Sequence, residues 1–481
     1  MNRNKRERNS FGIELKVSEL NLDNFRGFRT LKNLLIGDKV TVIIAENGGG
    51  KTTILDAMAA ALQVFLNQLL KMSFAPFPEL RSKDVMNGTE NGSIELKIEG
   101  YISVLHVLDD NQEDKLPEEP VFDQIPLTEN QLQISINKEA ISYKINEYEA
   151  NEESDFLFKE YFKSQFRPEI DSMPVLAYYG GNSIDTQSEI NKPLRENRLY
   201  HLYAGCLDAK RFSFNSFLRW FDTLYKVNMN KPENEKSREL RLIEEVVYRI
   251  LNEEKEPDKW IFSNLRMHYE LERDTLRVNK KNAYGQTVII EVDQMSAGEK
   301  VMFAIAADIA KRLILANPDL LKDPDNTPLN GQGVVLIDEI DLHLHPKWQR
   351  LILPKLIELF PNVQFVVTTH SPFVVQSVEP NHCIRLNNSV PEYFDGEERG
   401  DYEEIAIDFF NIQNFFDTET TAILGEFREF VNEIVNKKRD VKNSDFISII
   451  KDLSKRGEQV KSVVAFELAQ MEKQLKENGK D

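Results

Sequence analysis

Four short clusters of residues carry the chemistry open to this chain. The first is Ala45-Glu46-Asn47-Gly48-Gly49-Gly50-Lys51-Thr52-Thr53. Three glycines before Lys and two threonines suit a phosphate-binding loop, because backbone N–H groups of the turn cradle the anion and the following helix N-terminus adds partial positive charge. Asn47, Gly48, Gly49, Gly50, Lys51, Thr52 and Thr53 are therefore candidate nucleotide contacts. Lys51 would reach the β- and γ-phosphates of ATP, and the Thr52 hydroxyl would hold Mg²⁺. The usual pattern begins with Gly where this chain has Ala45. If that position needs a positive φ, alanine costs about 1 kcal/mol.

The second cluster, Gly333-Val334-Val335-Leu336-Ile337-Asp338-Glu339, is an apolar strand ending in two acids. Carboxylates there sit at the carboxyl end of a sheet, where open α/β folds bind ligands. Asp338 suits a direct or outer-sphere Mg²⁺ contact, and Glu339 a general base polarising the attacking water. The third cluster is Met295-Ser296-Ala297-Gly298-Glu299-Lys300, ahead of the helical run Val301–Leu313. Ser and Gly at a helix start make a second anion site. Within one subunit it has no obvious task, but it could close on the γ-phosphate held by another copy. Ser296 with Glu299 equally fits a capping box, and both readings stay open. The fourth is Thr368-Thr369-His370-Ser371-Pro372, one strand beyond the acids, where the His370 imidazole could touch the γ-phosphate.

The elements that must position these clusters are legible as periodicities. Val40–Ile44 is a β-branched run, read as a buried strand. Helical periodicity follows over Thr53–Lys71, with Leu55, Met58, Ala59, Leu62, Phe65, Leu66 and Leu69 on one face. Glu14–Phe28 reads as a strand and turn. Ser93–Val104 and Leu132–Ile145 alternate as strands, the second across a turn at Asn137–Glu139. Asp109–Glu129 between them reads as a loop. Met173–Tyr179 is a buried strand, and 194–264 is helical. Met267–Val278 and Thr287–Val292 form a hairpin around Asn282–Gly285. Val334–Ile337, Val363–Thr369 and Ile384–Leu386 are strands, and Lys347–Leu359 is a helix. The two ends thus build one α/β domain around an insertion. The expected parts are 1–180 (first motif and a strand-rich lobe), 181–265 (helical insertion), 266–400 (the other motifs) and 401–481 (helical, amphipathic).

With 41% hydrophobic and 29% charged residues, the chain can build a large core. The net charge of −19 repels nucleic acid and membranes at long range. DNA contact would need a local patch, such as the arm Arg3, Lys5, Arg6 and Arg8, which otherwise reads as a solvated tail. Two separated cysteines, Cys206 and Cys383, offer neither a disulfide framework nor zinc spacing. No signal-peptide pattern or membrane-length apolar run is present, so a cytoplasmic protein is expected.

Taken in order, the four clusters resemble the Walker A, signature, Walker B with D-loop, and H-loop motifs of the ABC ATPase superfamily, over about 14–62 and 290–390. Asn24-Phe25-Arg26, Ser-Ala-Gly-Glu-Lys and Asp338-Glu339-Ile340-Asp341-Leu342-His343-Leu344-His345-Pro346 are similar to the RecF/SMC/OLD branch. That resemblance implies an ABC-type P-loop ATPase head with an inserted helical lobe. It also places Arg26 near the nucleotide, makes Asp341 the D-loop residue facing a partner subunit, and makes Ser296 and Gly298 the trans contacts. Asp341, His343 and His345 alternate in the manner of zinc ligands, while the resemblance gives them a turn-shaping role. A Q-loop glutamine is not assignable among Gln124, Gln131 and Gln133.

No sustained heptads fill 54–294, so DNA-bridging arms are not expected. The chain beyond His370 shows no acidic or His-Asn-His cluster suited to a nuclease. With Tyr178-Tyr179-Gly180 and the Leu-His-Leu-His-Pro loop, the sequence resembles the PtuA ATPases of Septu and of some retron anti-phage systems, with AriA of PARIS as second choice. That resemblance implies a homodimer or higher homo-oligomer joined through its ATP sites, and a separate HNH nuclease subunit like PtuB. The alternatives are a RecF-like repair ATPase that binds DNA and a nucleotide-gated scaffold that barely turns over.

Overall fold

The computed structural model describes residues 10–70, 80, 82–105, 122–126, 130–137, 141–146, 170–181, 198–209, 214–270, 274–394, 402–410, 416–436 and 444–477. In chain order the strands and helices are β1 (Ser10–Phe25), β2 (Phe28–Leu35), β3 (Val40–Ala45), α1 (Lys51–Leu70), β4 (Asn91–Leu105), β5 (Phe122–Pro126), β6 (Asn130–Asn137), β7 (Ile141–Asn146), β8 (Ile170–Ser172) and β9 (Val175–Tyr179). There follow α2 (Arg198–Tyr203), α3 (Phe214–Asn228), α4 (Arg238–Leu251), β10 (Phe262–His268), β11 (Thr275–Lys281), β12 (Thr287–Glu291), α5 (Ala297–Ala316), β13 (Gly333–Ile337), α6 (Pro346–Gln349), α7 (Ile352–Leu359), β14 (Val363–Thr369), α8 (Pro372–Val375), β15 (Cys383–Asn387) and β16 (Val390–Tyr393). Last come α9 (Tyr402–Asp408), α10 (Thr418–Val435), α11 (Ser444–Leu453) and α12 (Glu458–Glu477). The arm Arg3, Lys5, Arg6 and Arg8 lies outside the described residues.

The α/β class read from the sequence is present as two sheets around α1. One sheet has the order β16-β15-β3-β14-β13-β9 and is parallel except for the β15–β16 pair. Its inner strands β3, β13, β14 and β9 are buried along their whole length, as strands covered on both faces must be. The other sheet is antiparallel along β2-β1-β4-β6-β7. Helix α1 packs on β3, β13 and β14 and also on β4 and β6. That double contact explains why Ile54, Leu55, Met58, Ala61, Leu62 and Leu66 are all buried.

A side chain links the two sheets. The β1–β4 register shifts between Val17 and Glu19. The Gln364 amide of β14 serves the Val17 backbone there, accepting from its N–H at 2.9 Å and donating to its carbonyl at 2.7 Å. Buried peptide groups need such partners wherever a ladder breaks.

Helix α5 is buried from Met302 onward, because α2, α3, α4 and β9 all pack on it. Phe303 meets Phe214 edge to face at 5.1 Å. Sheet β10-β11-β12 leads directly into this helix.

Three sequence expectations need correction. Phe122–Pro126 is a strand inside the stretch read as a loop: β6 covers β4 only from Asn91 to Ile98, and β5 pairs with the remaining edge at Tyr101–Leu105. The helix expected over Lys347–Leu359 is broken between α6 and α7, since Pro354 lacks an N–H and its ring crowds the Arg350 carbonyl. Strand β10 begins inside the stretch read as helical. Its alternation is masked by a register shift between Ser263 and Arg266, where Asn264 has φ 54°.

The chain divides into two compact units, Met1–Ile405 and Ala406–Asp481. The second has its own core, in which Leu424, Phe427 and Ile434 of α10 meet Phe446 and Leu453 of α11 and Val460, Val464 and Met471 of α12. Among the described residues no helix is long and apolar enough to cross a membrane.

Candidate nucleotide-binding site

Because β9, β13, β14 and β3 are parallel neighbours in register, Tyr179, Ile337, Thr369 and Ala45 end at one edge of the sheet. Three of the four sequence clusters meet there. The loop after β3 turns on Gly48 (φ 79°) and Gly50 (φ 92°). A Cβ on Gly50 would stand 2.3 Å from Phe28 Cζ, so both backbone and space require glycine. Ala45 is the extended last residue of β3, not a positive-φ position, and the strain allowed for in the sequence reading is not needed. Its methyl instead closes over Gly49, whose own Cβ would lie 2.8 Å away.

Lys51 opens α1 with its ammonium folded back into the loop, donating to the Ala45 carbonyl at 2.7 Å and the Glu46 carbonyl at 3.2 Å. Burial lowers its pKa, against the pull of Asp338, Glu339 and Asp341. The Thr52 hydroxyl donates to Asp338 Oδ2 at 2.8 Å, joining the first cluster to the second across 286 residues. Thr368 holds the other oxygen: its hydroxyl donates to Asp338 Oδ1 at 2.5 Å and accepts from the Glu339 N–H at 2.8 Å. Glu339 itself has φ 51°, a conformation costing a non-glycine residue about 1–2 kcal/mol.

Asp341 faces the fourth cluster within its own chain. Its Oδ1 accepts from the Thr369 hydroxyl at 2.5 Å and from the His370 N–H at 3.1 Å. Gln349 braces the same loop, donating to the Asp341 and Leu344 carbonyls and accepting from the Ser371 hydroxyl. Burial first, then the Lys51 cation, holds the His370 imidazole below its ordinary pKa, against Asp341, Glu339 and Asp338. His345 uses Nδ1 to cap α6, accepting from the Lys347 N–H at 3.3 Å. Asp341 and His345 therefore already serve the turn, and among the described residues no group of three His, Cys, Asp or Glu could hold a metal. Thr52 and Asp338 suit a different ion: paired hard oxygens at a phosphate loop fit Mg²⁺.

Arg26 has its guanidinium engaged by carboxylates. Nε donates to Asp84 Oδ1 at 2.8 Å and NH1 to Asp56 Oδ2 at 2.5 Å. Asp56 lies one turn into α1 and also accepts from the Tyr178 hydroxyl at 2.9 Å. Arg26 thereby ties the β1–β2 turn to the helix that carries Lys51 and Thr52. Sequence reasoning missed Asp56, Tyr178, Thr368 and Gln349. Only the Thr-Thr before His370 and the double Tyr ending β9 gave any hint of them.

Among the described residues, Ser296 and Gly298 make no hydrogen bond to this cluster. Ser296 is exposed and forms the expected capping box, its hydroxyl accepting from the Glu299 N–H while its N–H donates to Glu299 Oε2 at 2.9 Å. Glu299 is in turn paired with Lys280 at 2.8 Å. Gly298 packs on the loop after the acids: its Cβ would sit 2.9 Å from the His343 carbonyl oxygen. The backbones of Gln124, Gln131 and Gln133 lie in β5 and β6 of the antiparallel sheet, not at the parallel sheet's loops.

The sequence family described as "AAA domain, putative AbiEii toxin, Type IV TA system" matches residues 40–376, which span every part of this cluster from β3 to α8. The chain belongs to this family. It is 26% identical over 476 residues to the "Retron Ec83 probable ATPase" of Escherichia coli, covering 87% of this chain and 81% of that protein. To the "Retron Vc95 probable ATPase" of Vibrio cholerae it is 28% identical over 413 residues, covering 78% and 74%. The Septu protein PtuA of Bacillus mycoides is 32% identical over 112 residues, 23% of this chain and 14% of that one. Among solved structures, an SMC head bound to the C-winged helix domain of ScpA superposes with TM-score 0.41 at 16% identity, covering 79% of this chain and 98% of that one. Membership of the AAA family, with a phosphate loop joined to paired acids, makes ATP hydrolysis the chemistry of this chain.

Proposed function

We propose that the chain is the ATP-driven regulatory subunit of a cytoplasmic anti-phage complex and controls a separate nuclease, of the HNH type that partners PtuA. The observation carrying this reading is the Thr52–Asp338 bond, which joins phosphate loop and acids at one sheet edge, with His370 held there by Asp341, while Ser296 stays exposed at a capped helix start. In this reading the chain supplies one half of a site, and the exposed Ser296 belongs to the half that a second copy completes. The similarity to two retron ATPases, over 87% and 78% of this chain, supports the defence setting.

In this reading Lys51 exchanges its bonds to the Ala45 and Glu46 carbonyls for the terminal phosphates of ATP, with Asn47, Gly48, Gly49, Gly50 and Thr53 around them. Mg²⁺ bound by Thr52 and Asp338 would neutralise charge on those phosphates. Glu339 takes a proton from the attacking water, and neutral His370 donates to the γ-phosphate. Ser296 and Gly298 of a second copy close on that phosphate, and Asp341 lies at the seam. Arg26 acts by holding α1. Hydrolysis removes the bridging phosphate and loosens the pair, a two-state switch. The ATPase head comprises 1–180 and 266–400, with 181–265 inserted and 401–481 appended.

The test is recovery of the Glu339→Gln chain from its native cells with ATP and Mg²⁺, followed by mass spectrometry. A co-purifying nuclease is the expected result. Recovery of DNA with repair proteins, and no nuclease, would replace the proposal with a RecF-like role.

A further inference from the structure

The Glu339 carboxylate lies against a glycine in the turn that follows β9. A Cβ on Gly181 would stand 2.8 Å from Glu339 Oε2, 2.9 Å from Glu339 Cβ and 3.3 Å from the Asp338 carbonyl oxygen. Gly181 is not in a positive-φ conformation, so its backbone does not demand glycine. The space taken by Glu339 does.

Two residues earlier, Tyr179 is fixed at both ends. Its carbonyl accepts from the Asp338 N–H at 2.8 Å, and its hydroxyl donates to Asp308 Oδ2 at 2.9 Å. Asp308 is 1% exposed on α5 and also accepts from Arg312 Nε at 2.7 Å. Lys311, fully buried, lies 4.0 Å from Asp308 and donates to Ser216 Oγ at 2.8 Å. A buried ionic cluster of this kind contributes little stability that apolar packing would not give equally well. It does fix orientation, because every member has defined partners. The helix holding Asp308 is the one that begins at Ser296, roughly 18 Å away along its axis.

We propose that Tyr179 and Gly181 are positioning residues for Glu339, and that Asp308 anchors them to the helix that starts at Ser296. The inference rests on the reading of Glu339 as the general base. Gly181 sets where the carboxylate can lie. Tyr179 sets where Gly181 and the Asp338 backbone lie. Asp308 makes both follow α5, so a displacement of Ser296 by another copy reaches Glu339 within the same chain.

The experiment compares Gly181→Ala, Tyr179→Phe and Glu339→Gln with each double variant, in the full-length protein. Turnover is followed with radiolabelled ATP, and affinity with a fluorescent ATP analogue. Gly181→Ala is expected to lower kcat about 10²-fold, the usual effect of an ångström-scale misplacement. Tyr179→Phe is expected to lower it about 10-fold. ATP affinity should stay within about 2-fold in both, a kcat-against-KM split that a general packing defect does not give. Neither change should slow the Glu339→Gln chain further. Wild-type kcat in Gly181→Ala, or losses that multiply in the Glu339→Gln background, would overturn the positioning role. If Glu339→Gln alone turned over like wild type, the base assignment would fall and this inference with it; an inactive Glu339→Gln beside an active Gly181→Ala removes only the inference. Should Gly181→Ala not fold, Tyr179→Phe decides, since it deletes one oxygen and keeps the ring.

Discussion

Thr368 is the residue on which both candidate acids lean, and replacing it gives a sharp prediction. Thr368→Val keeps the shape and deletes one hydroxyl. The side chain is fully buried, so water cannot take its place. Two interactions go. The bond from the hydroxyl to Asp338 Oδ1 is charge-assisted, a class contributing about 1.5–3 kcal/mol. The Glu339 N–H loses its acceptor, and an unsatisfied buried donor costs about 1–3 kcal/mol. Together the predicted destabilisation is about 3–5 kcal/mol, read as a lower urea midpoint with unchanged slope. Turnover should fall more than stability explains, because Asp338 swings about Thr52 and Glu339 loses the bond supporting its φ of 51°. Thr368→Ser, which restores the hydroxyl, should recover most of both. A Thr368→Val chain within about 1 kcal/mol of wild type and fully active would refute this reasoning.

Two further outcomes follow from the same geometry. Gly50→Ala meets both a φ of 92° and the Phe28 ring, so stability should drop by about 2–4 kcal/mol in urea unfolding, and an unchanged midpoint would contradict the packing described. His370 has a folded-state pKa below 6.5, so the unfolded chain binds the proton first. Its contribution to stability is complete above pH 6.5 and is lost as pH falls through the lower folded value. An imidazole NMR titration should place the midpoint below 6.5, and one at or above 6.5 would contradict the depression by burial and the Lys51 cation.

Much of this was legible in sequence because the groups that matter are local. The glycine turn, Lys51 and Thr52 are contiguous, and the apolar runs before Ala45, Asp338 and His370 announce strands whose ends carry them. What escaped was every partner fixed by distant chain. Thr368 reaches Asp338 across 30 residues, Tyr178 reaches Asp56 across 122, and Gln364 reaches Val17 across 347. Periodicity says which face of an element is buried, not which neighbour it meets. Ala45 departs from the glycine pattern without cost, because its φ is not positive, and nothing in the pattern itself reveals that. Strand β5 was hidden in an acidic, proline-bearing stretch, since its reason for existing is the uncovered edge of β4. Residue type alone does not separate Gln124, Gln131 and Gln133, and the topology puts their backbones in the other sheet.

Composite sites are the central claim, and mixing two crippled chains tests them directly. Lys51→Ala removes the phosphate contact, and Ser296→Arg blocks the outward-facing helix start. Each chain alone should be inactive. In a mixed pair, the intact loop of the Ser296→Arg chain meets the intact Ser296 of the Lys51→Ala chain. ATP-dependent mixed pairs should therefore form and regain on the order of a quarter of wild-type turnover, one working site in each mixed pair. Ser296→Arg protein that pairs and hydrolyses ATP unaided would contradict the claim, as would mixtures in which no pair forms and no activity returns.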